Sequence, residues 1–148
     1  MKLPRLDLPK VSKPSRRTGV AAVELLALAP ILVLVCAVSV DCGRFAYSYT
    51  AVCNAVRVAG QYGATGAYTS NTYSSWLSQV QSAALAEISQ IPGFSANQWT
   101  LSVTTTTDSY GLFRVTVSGQ YNFQPLLYWP GGAAVVPLCR QITIREYR

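Results

Sequence analysis

Residues Thr18 to Val40 read TGVAAVELLALAPILVLVCAVSV, 23 residues in which Glu24 is the only charged side chain. At a rise of about 1.5 Å per residue, a helix of that length reaches roughly 35 Å, enough to cross a hydrocarbon layer of about 30 Å. The stretch is therefore expected to span a membrane. Arg16 and Arg17 abut its N-terminal flank, whereas Asp41 and Arg44 nearly cancel on the other flank. Basic residues favour the cytoplasmic side, so the N-terminus is expected in the cytoplasm and residues 41 to 148 beyond the membrane. Three parts follow: a basic leader over residues 1–19, a transmembrane segment over 20–40 and an extracytoplasmic domain over 41–148.

The remaining composition narrows the function classes. The chain has 148 residues, 50% of them hydrophobic, with 12 Lys+Arg against 6 Asp+Glu and a formal charge of +6. Residues 1 to 17 hold six of the basic side chains (Lys2, Arg5, Lys10, Lys13, Arg16, Arg17) and the single acid Asp7, leaving the other 131 residues near neutrality at +1. A nucleic-acid-binding domain places its basic residues on a folded face, so no nucleic-acid partner is expected. The apolar content is too rich for disorder. With no histidine in the chain, Cys-His and Ser-His-Asp catalysis and His-ligated metals are excluded.

Three readings of the leader and apolar block stay open. One is a secretory signal peptide with an h-region from Leu25 to Val38 and a small-residue cleavage site at Ala37-Val38-Ser39. That reading leaves a secreted soluble domain. Another is an uncleaved signal anchor, holding an envelope protein whose outer domain binds a partner without forming a filament. It predicts no processing at Gly19 and tolerance of Glu24→Gln. Neither explains a carboxylate in an otherwise apolar helix, where an unpaired buried charge is costly. In the third, Gly19 ends the leader, Val20 becomes the new N-terminus and Glu24 is fifth in the processed chain.

The sequence Gly19-Val20-Ala21-Ala22-Val23-Glu24, after two arginines and ahead of an apolar run, resembles the processing site of type IV prepilins. The resemblance implies that a membrane prepilin peptidase cuts after Gly19 and that the new amino group is commonly methylated. It further implies that Glu24 pairs with a neighbouring subunit's N-terminus and sets subunit registry. A carboxylate in apolar surroundings is tolerable when an ammonium of opposite sign meets it. Ala21, Ala22, Ala27 and Ala29 would permit close approach of another helix.

A more particular likeness covers most of residues 16 to 66 and 112 to 147. Val23-Glu24, the mid-helix Pro30, and Asp41-Cys42-Gly43-Arg44 followed by Phe45 and Tyr47 resemble the TadE-like pilus-assembly proteins. These are minor pseudopilins of the tight-adherence, or Flp, type IV pilus system. Near the other end, FRVTVSGQYNFQPLLYWPGG carries a strand leading to an aromatic-x-Phe-x-Pro-Leu turn, and Ile142-Thr143-Ile144-Arg145-Glu146 continues the likeness. Leu25 departs from the family, which favours an aromatic there. The resemblance implies a bacterial inner-membrane subunit that takes part in pilus assembly, surface adhesion and biofilm formation. The implied partners are membrane lipid, the prepilin peptidase, other pilin or pseudopilin subunits and the inner-membrane assembly platform.

Beyond Asp41, Phe45, Tyr49, Val52, Cys53, Val56 and Ala59 recur at helical spacing, so the membrane helix is expected to continue outward. Pro30 and Gly43 would bend or loosen it. The helix is expected to end near Gly60, with Gly60, Gly63 and Gly66 forming a flexible connector. A second helix is expected with Ser74 or Ser75 as N-cap, an apolar stripe of Trp76, Leu77, Val80, Ala84, Leu85, Ile88 and Ile91, and a stop at Pro92-Gly93. Periodicity then changes to two. Trp99, Leu101 and Val103 alternate with polar residues, as do Phe113, Val115 and Val117 after the turn Asp108-Ser109-Tyr110-Gly111, which predicts an antiparallel hairpin. A third strand is expected over residues 135–146, after a loop around Trp129-Pro130-Gly131-Gly132. The fold class is α+β and pilin-like: a long membrane-spanning helix packed on a small antiparallel sheet, with one additional helix.

Four cysteines, Cys36, Cys42, Cys53 and Cys139, cannot all pair. The first three share one rod with spacings of roughly 9 and 16 Å, beyond the limit of about 7 Å between bridged Cα atoms. One bond, Cys53 to Cys139, is the candidate disulfide, on the face expected to meet the sheet. Simple alternation sets Cys139 opposite Leu138, Ile142 and Ile144, so the bond requires a bulge near Pro137. Val33-Leu34-Val35 before Cys36 lacks the small residues of a lipobox. Glu87 and Asp108 are the only acids between Asp41 and Glu146, too few for a carboxylate pair or an oxygen-ligand metal site. The outer domain is therefore read as non-enzymatic, with no cofactor and no metal.

Overall fold

The computed structural model describes residues 18–109, 111–127 and 134–145. The basic leader to Arg17, Tyr110, the Trp129 to Gly132 loop and Glu146 lie outside the described residues. Contacts divide the chain into two compact units, residues 1–36 and 37–148. Helix α1 runs Thr18–Thr65, 48 residues with Pro30 inside it. In the first unit every residue of α1 from Gly19 to Cys36 except Ala29 is exposed. Leu26 at 74% and Val33 at 68% mark how far this extends.

The second unit is a two-layer α+β domain. Helix α2 spans Tyr73–Ile88, a short 3-10 turn Ala96–Gln98 follows, and strands β1 (Trp99–Thr107), β2 (Phe113–Phe123) and β3 (Val136–Arg145) complete it. The strands form one antiparallel sheet in the order β1-β2-β3. The hairpin register runs from Trp99 opposite Tyr121 to Thr107 opposite Phe113. Its turn is closed by the Gly111 N–H donating to Asp108 O at 2.9 Å, with Gly111 at φ +76 where a side chain would be strained. β3 pairs with β2 from Val136 opposite Phe123 to Arg145 opposite Arg114.

One face of the sheet is buried by both helices. Val52 and Ala55 of α1, with Ile88 of α2, pack against Tyr121, Phe123 and Leu138. Val56 and Ala59, with Trp76, Val80 and Ala84, pack against Val115 and Val117. Each of the larger aliphatic side chains stabilises the fold by about 1.5–3 kcal/mol through removal from water.

Three expectations are corrected. Helix α1 passes Gly60 and ends at Thr65, because the glycines are packing positions and not a connector. A Cβ on Gly60 would stand 3.0 Å from Ile142 Cγ2 and 3.1 Å from Ile144 Cδ1, and one on Gly63 would stand 3.0 Å from Val115 Cγ1. The missing side chains let β2 and β3 approach the helix backbone, which offsets the helix-propensity cost of about 1 kcal/mol per glycine. The buried face of α1 keeps Val52, Val56 and Ala59 of the expected stripe but not its first two residues. Ser48, Val52, Ala55, Val56 and Ala59 are buried, whereas Phe45 and Tyr49 are each 41% exposed. Finally, α2 begins at Tyr73, so Ser74 and Ser75 fall in its first turn. Thr72 occupies the cap position without a side-chain cap bond, because its hydroxyl accepts the Thr69 N–H at 2.8 Å instead. Leu85, expected on the buried stripe, is 43% exposed, and Ile91 is buried from the turn beyond the helix.

Candidate functional site

Gly19, Val20 and Glu24 lie in the first two turns of α1. A Cβ on Gly19 would meet nothing within 4 Å, so packing in this fold makes no demand for glycine there. Val20 is 60% exposed and Glu24 is exposed. No described side chain pairs with the Glu24 carboxylate. In an apolar surrounding such a carboxylate needs a partner of opposite sign from outside the described residues.

The second feature lies at Asp41, just past the apolar stretch, where α1 meets the chain leaving β2. Asp41 accepts the Leu126 N–H on Oδ1 at 3.0 Å and on Oδ2 at 2.9 Å, and the Leu127 N–H on Oδ2 at 3.1 Å. One turn further along, Arg44 donates to Asp41 Oδ1 at 3.1 Å. The Arg44 guanidinium also lies 5.4 Å from the Phe123 ring centre. Phe45 meets Phe123 edge to face at 5.6 Å. The Leu126 N–H chiefly, then that of Leu127 and the charge of Arg44, hold the Asp41 carboxyl below its ordinary range against the opposing effect of burial.

Two motifs about 85 residues apart in the chain thus form one clasp: acid-x-Gly-Arg at the outer end of the apolar helix, and the Phe123-Gln124-Pro125-Leu126 turn. Helical spacing places Asp41 and Arg44 on one side of α1. Beside the clasp lies a cavity of about 450 Å³, bounded by Arg44, Tyr47, Ser48, Tyr121, Phe123 and Pro125 among others. Its floor is tied by Tyr121 OH to Gln98 Oε1 at 3.2 Å and its rim by Tyr47 OH to Gln90 O at 3.3 Å. Burial pushes the Tyr121 phenol up. Sequence reasoning noted both motifs but not their meeting; the local signal was an acid and an arginine three apart at the end of an apolar run.

At the opposite end of the sheet, Asp108 receives Arg114 and Arg145, the latter at 3.3 Å. The Arg114 hydrogen bond foremost draws the Asp108 carboxyl down. This cluster ties the hairpin turn to β2 and β3. Among the described residues no group of His, Cys, Asp or Glu is placed to hold a metal.

The structure does not bring Cys53 and Cys139 together as a disulfide. Both are free thiols, Cys53 half-buried on α1 and Cys139 exposed on β3. The bulge that would turn Cys139 inward is absent: Asn122, Tyr121 and Gln120 face Pro137, Leu138 and Cys139 in unbroken register. Leu138 therefore points to the helices and Cys139 to the other face.

Among the described residues, α1 is the one helix long and apolar enough to cross a membrane. Comparison with known proteins agrees with this region. No curated protein and no solved structure matches the chain. Residues 19–61 match the family model described as TadE-like protein; this stretch carries the apolar part of α1, Glu24, and Asp41 and Arg44 of the clasp.

Proposed function

We propose that this chain is a minor pilin-like subunit of a bacterial tight-adherence pilus. Its apolar helix holds it in the inner membrane as a single-pass protein, with the leader cytoplasmic and residues 41–148 periplasmic. A prepilin peptidase removes the leader after Gly19. The new Val20 amino group and Glu24 then take part in packing against other pilin or pseudopilin helices, at the assembly platform or within the pilus. Surface adhesion and biofilm formation are the outcome. The observation that carries this reading is the TadE-like match over residues 19–61. It coincides with an exposed, apolar stretch of α1 over residues 19–36 in which Glu24 is the one carboxylate and has no described partner. Binding and packing, not catalysis, are the roles assigned to the outer domain.

The test is intact-mass and N-terminal analysis of the membrane-extracted protein, produced with and without a co-expressed prepilin peptidase. A new N-terminus at Val20 that appears only with the peptidase supports the reading. A chain that keeps its leader under both conditions would move the assignment to a permanently anchored envelope protein. A start near Val40 would sink both in favour of a secreted domain.

A further inference from the structure

The cavity beside the Asp41 clasp holds one charge among its described lining residues, the Arg44 guanidinium, and no carboxylate. That guanidinium is steadied from two sides, by Asp41 Oδ1 at 3.1 Å and by the Phe123 ring, whose centre lies 5.4 Å away. Asp41 engages one of its donors and spends its remaining lone pairs on the Leu126 and Leu127 N–H groups. An arginine has five donors, and the others find no described acceptor here. Ser48, one turn further along α1, also lines the cavity, is 3% exposed and hydrogen-bonds through its hydroxyl to no described group. Other hydroxyls of α1 satisfy themselves on the preceding turn, as Thr50 does on Ala46 O at 2.9 Å and Thr65 on Gln61 O at 3.0 Å. A hydroxyl so buried calls for a partner from outside the chain. Position adds a second observation. Arg44 stands four residues past Val40, the last residue of the apolar stretch, and α1 is unbroken between them. Four residues rise by about 6 Å, and the polar layer flanking a hydrocarbon core is roughly 5–8 Å deep on each side. Tyr47 and Leu126, both lining the cavity, are 50% and 67% exposed, and Phe45 and Tyr49 are exposed on the same turns of α1. Aromatic side chains gather at that level of a membrane protein.

We infer that this cavity binds the headgroup of an anionic phospholipid, with the phosphate on Arg44 and a headgroup hydroxyl on Ser48. The planar fork of arginine donors matches phosphate oxygens, and a guanidinium already ordered by Asp41 and Phe123 loses little freedom on binding them. A zwitterionic headgroup would carry a second cation into a lining that has Arg44 and no carboxylate to receive it. A headgroup whose remaining polar atoms are hydroxyls, such as glycerol, is the one that both Arg44 and Ser48 can satisfy. The volume of about 450 Å³ falls within the range of small-molecule sites. The inference rests on the membrane anchoring in the proposed function and not on leader removal or a place in a pilus.

The experiment titrates the full chain, in a non-ionic detergent, with dioleoyl phosphatidylglycerol and separately with dioleoyl phosphatidylcholine, and counts bound lipid by native mass spectrometry. One phosphatidylglycerol per chain should be retained about tenfold more tightly than phosphatidylcholine. Arg44→Gln should remove that preference, a loss of about tenfold. Ser48→Ala deletes one oxygen, leaves the clasp untouched and should weaken retention about fivefold. A melt followed by tryptophan fluorescence establishes that each variant is folded. Equal retention of the two lipids by the parent, or a preference unchanged in a folded variant, would overturn the inference. Phosphatidylglycerol should stay bound in millimolar inorganic phosphate; its displacement would make this a free-phosphate site and overturn the lipid assignment. Failure of the anchoring itself is read separately, as release of the chain from membranes without detergent.

Discussion

Replacing Asp41 by Asn tests whether the clasp holds the outer domain together. The carboxylate accepts two backbone N–H groups and Arg44, all between 2.9 and 3.1 Å, with only 12% of the Asp41 side chain exposed. Hydrogen bonds to a charged acceptor contribute about 1.5–3 kcal/mol each, net of water. The Arg44 pair adds at most about 1 kcal/mol, since the guanidinium side chain is 41% exposed. Asparagine keeps one oxygen, turns an N–H toward another N–H and removes the charge. The expected loss is about 2–3 kcal/mol, or roughly 8–12 °C in the unfolding midpoint of a domain this size. Thermal unfolding of the full chain in detergent, followed by tryptophan fluorescence at neutral pH, reads it directly. The pH dependence has a definite sign. Because the folded carboxyl titrates below the unfolded one, its stabilisation is complete above the ordinary carboxylate pKa of about 4. It disappears as pH falls through the lowered folded value. The gap between parent and Asp41→Asn should therefore be full at pH 7 and shrink on acidification below about pH 4. A variant melting within about 2 °C of the parent at pH 7 would refute the clasp as a stabilising contact, given the slope of midpoint with free energy.

Other expectations follow from packing and from the proposed role. Gly119→Ala places a Cβ 2.5 Å from Trp99 and 2.6 Å from Val56, and this overpacking should cost about 1–3 kcal/mol in the same melt. By contrast, Gly43→Ala meets nothing within 4 Å and should be neutral or stabilising by up to about 1 kcal/mol through helix propensity; a loss of more than that would indicate a contact the fold does not contain. Ile88→Ala empties a fully buried site between both helices and the sheet, with a cost of about 2–5 kcal/mol, checked by denaturant midpoint. Glu24→Gln should leave membrane insertion and the outer-domain melt unchanged while reducing pilus assembly, scored by sheared-pilus yield in a strain carrying the variant. Normal yield with the glutamine would count against the registry role.

Much of this architecture follows from local chemistry. An apolar stretch of 23 residues has one stable backbone solution in a membrane, because a helix satisfies every N–H and C=O internally. The alternation in β1 and β2 and the Asp108 to Gly111 turn specify a hairpin through contacts close in the chain. Amphipathic periodicity likewise marks α2. Glycine was less legible. Gly60 and Gly63 read as a loose connector because composition alone cannot distinguish a glycine that frees the backbone from one that admits Ile142, Ile144 or Val115. The same ambiguity hid the small-residue part of the buried face, Ser48 and Ala55, beneath the louder signal of Phe45 and Tyr49.

The long apolar helix, the lone Glu24 within its apolar stretch and the α+β class were determined by the sequence itself, since each depends on interactions within one segment or between neighbours in the chain. Only the tertiary structure decided that Asp41 closes on Leu126 and Leu127, that Cys139 turns away from Cys53, and that β1 is left as an open edge. Those outcomes depend on which distant backbones meet and in what register. A register shift of one residue reverses every side chain it carries, and no single segment records it.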